Sequence, residues 1–237
     1  MIDLQTESFA PLDECSMQIK RALSVLATVT QSRSMKLPSY VDKIGSATFE
    51  NRRGCFEWTV VGPSLFTDNC SIFMSASAST FDGACSEYLR HVEKTAAKYG
   101  LPRSRSRLPV LTGSRVDELK PAFERSVDTL NEATNKRWPG STARSYLWFR
   151  PSTDNETPDK WSVSVSGIRC FEMDRDVWAS NPDLYAAAMD AIAQVDRLPL
   201  PYPCNTTDQF AGLPALQVAP LALPKGRSRI PNSGRFE

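Results

Sequence analysis

The stretch Tyr146–Gly167, YLWFRPSTDNETPDKWSVSVSG, constrains the fold more than any other part of the chain. In Trp161–Gly167 the side chains alternate, with Trp161, Val163 and Val165 on one side and Ser162, Ser164 and Ser166 on the other. A period of two belongs to a strand with one buried face and one free face. Tyr146–Arg150 reads as its partner strand. Between them, Pro151–Lys160 carries the Pro, Ser, Asp and Asn residues that favour chain reversal. The pair predicts an antiparallel hairpin.

A similar order occurs earlier. Phe56–Gly62 is followed by Pro63-Ser64, by Thr67-Asp68-Asn69 and by the serine-alternating Ser71–Ser79. In the later stretch Pro151-Ser152 runs directly into Thr153-Asp154-Asn155. Ile72, Met74, Ala76 and Ala78 share one face of the earlier strand, and Phe73, Ser75, Ser77 and Ser79 the other. The two stretches read as a diverged internal duplication. So short a match also fits two hairpins of independent origin.

Helical periodicity flanks both hairpins. Asp13–Thr30 places Ile19, Leu23, Leu26 and Thr30 on one stripe, with Asp13 as the expected N-cap. Asp82–Tyr99 repeats the pattern and stops at Gly100 and Pro102. A third helix spans Arg115–Arg137 behind Ser114, or starts at Pro121, and ends at Trp138-Pro139-Gly140. Asn181-Pro182-Asp183 opens a fourth, running through Val195. Ala47–Glu50 reads as a further short strand. The predicted fold is α+β with an antiparallel sheet. It has two similar helix–β-hairpin–helix halves, residues 1–101 and 102–197, and a Pro-rich extended C-terminal arm, residues 198–237.

The arm holds seven of the 17 prolines, between Pro199 and Pro231, yet it also carries Leu213, Leu216, Val218, Leu221 and Leu223. Proline keeps it extended, and its apolar side chains need something to lie on. These five residues are the expected oligomer interface, with the arm packed on its own domain or on a neighbouring copy.

Charge narrows the classes further. With 28 Lys plus Arg against 27 Asp plus Glu, the formal net charge is +1, so the surface as a whole is no trap for polyanions. Cations are concentrated locally. Arg103, Arg105 and Arg107 form one cluster, and Lys225, Arg227 and Arg229 another, on Pro-bounded segments suited to contacting a nucleic-acid backbone. Solubilising charge is the plainer reading of each.

Signals of enzyme chemistry are weak. The six cysteines have no C-x-x-C spacing, and no glycine-rich phosphate loop exists. The single histidine, His91, lies six residues from Cys85, about 240° around a helix. Asp174 and Asp176 read as helix caps before Val177-Trp178 sooner than as cation ligands. No catalytic residue, metal site or cofactor is expected. The sequence has no signal-type apolar run and no apolar stretch long enough to span a bilayer, which predicts a soluble, intracellular protein with reduced thiols. The expected function is that of a non-enzymatic, self-assembling shell or nucleocapsid-type subunit, a homo-oligomer touching nucleic acid. The alternatives are a modulator that binds and blocks another protein, or an enzyme using Asp174, Asp176, Cys85 or His91.

Overall fold

In the computed structural model, residues 9, 12, 15–35, 44–102, 115–152, 157–170 and 173–199 are described, all inside the unit Met1–Leu200. Helix α1 spans Ser16–Arg33, three residues later at each end than its periodicity suggested, with Cys15 at the N-cap position. Strands β1 (Ser46–Arg52) and β2 (Cys55–Val61) follow, then the small pair β3 (Leu65–Phe66) and β4 (Ser71–Ile72), and β5 (Ser75–Ala78). Helix α2 (Phe81–Lys98) is capped by Thr80, whose side chain accepts from the Gly83 N–H. It ends where Gly100 takes φ +65°, a conformation glycine adopts without a Cβ penalty.

The next helical stretch is broken, as Pro121 requires. A single turn, α3 (Arg115–Glu118), precedes α4 (Lys120–Arg137), which carries the proline in its first turn, where no N–H is needed. Then come β6 (Arg144–Arg150), β7 (Lys160–Cys170), β8 (Met173–Asn181) and α5 (Leu184–Arg197). Asp183 caps α5 by accepting from the Ala186 N–H at 2.6 Å.

β5, β2, β1, β6, β7 and β8 form one antiparallel sheet in that order. The α+β class with antiparallel pairing therefore holds. Each half contributes three strands, not the two of a hairpin. β1 is longer than Ala47–Glu50 implied. β8 occupies the place where Asp174 and Asp176 were expected to cap a helix. Its residues alternate too, with Val177 and Ala179 buried and Trp178 and Ser180 exposed, which is strand periodicity. The sheet is continuous across the middle of the chain, because Thr48 of β1 faces Trp148 of β6 and Phe49 faces Leu147.

The shared Pro-Ser and Thr-Asp-Asn segments occupy different places in this topology. In the first half Pro63-Ser64 leaves β2 for β3, whereas Pro151-Ser152 leaves β6 for β7. The serine-alternating strands are likewise not counterparts by position. β5 is an edge strand, and β7 lies one strand in from the opposite edge.

The helices cover one face of the sheet. Phe123 of α4 is fully buried and touches Phe49, Trp58 and Trp161, with ring centroids 5.4, 4.9 and 6.0 Å away. Phe81 of α2 meets Trp58 edge-on at 5.2 Å. Aromatic rings in tilted contact add to the burial term and lock the layer spacing. Leu184, Ala188, Ala191 and Ile192 of α5 are buried in the same core cluster as Val163, Val165 and Val177.

Candidate site on the uncovered sheet face

The opposite face has no helix against it among the described residues. Side chains that alternate with the core define it. Across its middle runs the row Ser77, Thr59, Thr48, Trp148, Ser162 and Ser180, each opposed to the next. Ser77 Oγ lies 2.8 Å from Thr59 Oγ1, and Ser162 Oγ 2.7 Å from Ser180 Oγ. The expected serine surface therefore exists, but in the second half it is roofed. Trp148 and Trp178 meet edge to face over this region, Trp178 Nε1 donates to Ser180 Oγ at 2.9 Å, and Ser162 is only 6% exposed.

Charge on this face is segregated along the strands. One end of β6 carries Arg144 and the other Arg150. Arg150 is directly opposed to Lys160. Glu50 and Glu57 face one another four residues along β1 from Ser46, about 13 Å away at strand rise. Asp174 is opposed to Arg169, near the Arg144 end. The Arg150 end of the face therefore holds cations, and the far end mixes both signs.

At the Arg150 end the sheet opens into a cavity of about 360 Å³, lined by Gly45, Ser46, Val61, Gly62, Pro63, Ser64, Phe73, Trp148 and Arg150. Phe73 lies between β4 and β5 and is 68% exposed. The hydrogen bond from Gly62 N–H to the Met74 carbonyl, 3.2 Å, ties this segment to the end of β2. Among the described residues no carboxylate lines the cavity. An aromatic pair, hydroxyls and a guanidinium are a donor set for a flat ring bearing or adjoining an anion. A second hollow, bounded by Gly140, Thr142, Gly167, Arg169 and Asp174, is more polar and has no aromatic wall.

The residues considered for catalysis do not converge. Cys85 is buried in α2, where burial first, and then Asp82 and Asp117, push its thiol up to about 12, so it is protonated at neutral pH. His91 points to the β5 edge, with Nδ1 3.2 Å from the Ser75 carbonyl and Nε2 3.1 Å from Glu87. Asp174 and Asp176 are exposed on β8, the other edge of the sheet, about 24 Å away at ordinary strand spacing. Among the described residues no His, Cys, Asp and Glu gather in metal-binding number.

Arg103, Arg105, Arg107, Lys225, Arg227 and Arg229 lie outside the described residues, as do Leu213, Leu216, Val218, Leu221 and Leu223. The feature that sequence reading missed is the cavity. Its signal was Phe73, an aromatic on the serine side of its alternating stretch, where burial does not account for it. No helix among the described residues is long and apolar enough to cross a membrane. Scans of protein families, curated proteins and solved structures returned no match to this chain.

Proposed function

We propose that the chain is a self-assembling structural subunit of shell or nucleocapsid type, which associates with nucleic acid and performs no catalysis. The uncovered six-stranded face carries this reading. Small domains ordinarily expose apolar residues singly, whereas Trp178, 48% exposed, stands on this face beside Trp148, Phe73, 68% exposed, lines the cavity at its end, and no helix among the described residues covers them. Such a surface serves contact with another macromolecule better than turnover of a small substrate. The apolar, Pro-rich residues 198–237 supply the means of assembly, packing on a neighbouring copy. The two R-S-R-type clusters supply nonspecific phosphate contacts.

The proposal includes descent of the two halves from one duplicated unit. Its support is the mirrored order β5-β2-β1 and β6-β7-β8 about the β1–β6 pair. The flanking helices α1 and α4 add to it, each 18 residues long. On this view β1 and β6 are counterparts, and the ancestral unit paired with itself through that strand.

Light scattering tests assembly. The full chain should have a multiple of the monomer mass, and a chain ending at Leu200 should not. A monomeric full-length protein, with and without nucleic acid, overturns self-assembly. A modulator that binds another protein would use the same exposed face, and a monomer forming a stable heterocomplex favours it instead.

A further inference from the structure

We infer that the cavity at the Arg150 end of the open face is a binding site for single-stranded nucleic acid. One base stacks in it against Phe73 and Trp148, and the adjoining phosphates rest on Arg150 and Lys160. This deepens the proposed association with nucleic acid. It moves the contact from the basic clusters onto the folded sheet and adds base stacking to backbone charge.

Three observations converge. First, the volume, about 360 Å³, lies within the range of pockets for small ligands, roughly 300–1,000 Å³. Second, the wall includes an aromatic that burial does not explain. Phe73 stays 68% exposed although it follows directly on a strand and precedes buried Met74. An exposed ring that lines the same cavity as a second ring offers a stacking platform for bases, whose faces are all aromatic. Third, Arg150 and Lys160 are directly opposed on neighbouring strands and point to the same face. Two cations so placed offer neighbouring contacts to a phosphate backbone. Arg150 already has an interaction within the protein, but a guanidinium carries five N–H donors and serves two partners at once. Asp159, the residue before Lys160, is engaged with Lys20 at 2.8 Å and with the Ser152 N–H at 2.7 Å.

The occupant is a single strand because a duplex keeps its bases stacked on one another. Ser46 and Ser64 line the same cavity and offer hydroxyls to a base edge or a sugar. They are too few to read a sequence, so base preference should be slight.

Binding of an oligouridylate to the full chain, followed by protein fluorescence at several salt concentrations, tests this. Phe73→Ala should weaken binding about 5- to 150-fold, the effect of one stacked base. Because Phe73 is exposed, the variant should keep the wild-type circular dichroism spectrum. Arg150→Glu with Lys160→Glu should lower the logarithmic salt slope by more than about 1.4, the share of two phosphate contacts on a single strand. Arg52→Glu with Arg144→Glu, at the other end of the same face, should change binding much less. An oligomer of abasic sugar-phosphate should bind like the Phe73→Ala variant binds RNA. The inference falls if the abasic strand or a duplex binds wild type as tightly as oligouridylate, if the two charge-reversed pairs act equally, or if no binding occurs. The variant with Gln at all six cluster positions separates the two ideas. Loss of binding there with no effect of Phe73→Ala leaves the basic clusters as the contact and removes the pocket. Retained binding there, sensitive to Phe73→Ala, keeps the pocket and removes the clusters.

Discussion

Trp148 and Trp178 meet at right angles on the uncovered face, with ring centroids 5.1 Å apart and planes inclined by 88°. They belong to β6 and β8, which are separated by β7, so the rings bridge over Ser162 and Ser164. An aromatic pair of this geometry contributes about 0.5–1.5 kcal/mol beyond area burial. Trp178→Ala should therefore cost roughly 1 kcal/mol in urea denaturation and remove a large part of the near-ultraviolet dichroism. Unchanged dichroism would mean that the rings do not hold one another in solution.

Gly62 tests how tightly α2 sits on β2. A Cβ there would lie 2.0 Å from Tyr88 Oη. The phenol has little room to yield, because it is fully buried, 2.9 Å from Thr30 Oγ1 and 3.3 Å from the Pro63 carbonyl. Gly62→Ala should destabilise by about 1–3 kcal/mol, the usual cost of overpacking. Adding Tyr88→Phe should not restore stability in thermal unfolding, because the ring carbon Cζ would still lie 2.4 Å from the new Cβ.

Asp117 binds the two halves at a helix end. Its carboxylate accepts from the Phe81 N–H at 2.5 Å and from the Asp82 N–H at 3.1 Å, satisfying two N–H groups at the start of α2. Asp117→Ala should cost about 1–2 kcal/mol, the loss of a good cap, and Asp117→Asn less. Hydrogen exchange should localise the loosening to the first turn of α2. Exchange that changes only in α3 would mean the carboxylate serves its own turn.

Alkali should unfold the protein through buried acids. Burial raises Cys85 to about 12 from 9.0 and Tyr88 to about 12 from 10.0. Between the unfolded and folded values the native state holds protons that the unfolded chain has released, so stability falls as pH rises. The fall should begin near pH 9 and continue to pH 12, by up to about 1.4 kcal/mol per pH unit for each group. Cys85→Ala should flatten the slope between pH 9 and 10, leaving Tyr88 to act above that.

The same burial orders thiol reactivity. Of the five cysteines described, Cys55 and Cys70 are exposed and Cys15, Cys85 and Cys170 are buried. At pH 8 a thiol reagent should modify Cys55 and Cys70 rapidly and Cys85 only on unfolding. Fast labelling of Cys85 in native protein would contradict its place in the core.

Much of the fold was legible in local pattern. Gly100 and Pro102 end α2, Pro121 breaks the third helical stretch and Asp183 opens α5, because capping and proline sterics act within a turn of chain. The alternation in Trp161–Gly167 gave both the strand and its buried side. β8 escaped notice because Asp174 and Asp176 are good capping residues as well as tolerable edge-strand residues, and local chemistry alone does not choose between these roles. Ser71–Ser79 read as one strand, but it divides into β4 and β5 in separate sheets with Phe73 between them, and nothing local said that Phe73 and Trp148 would line one cavity.

What the sequence determines by itself is which residues form helices, which form strands, and which side of each is apolar, since these follow from periodicity and from steric limits between near neighbours. Register and strand order were decided only in three dimensions. The choice of β1 to pair with β6 joins the halves into one sheet, and it depends on burying Phe49, Trp58 and Trp161 around the single ring of Phe123, with Phe149 against Trp161. Those contacts join residues far apart in the chain, so no window of sequence contains them. The cavity follows from the same choice. Trp148 and Arg150 reach Ser46, Val61 and Phe73 only because β6 lies beside β1, and hydrophobic burial on the covered face thereby sets which polar and aromatic groups meet on the open one.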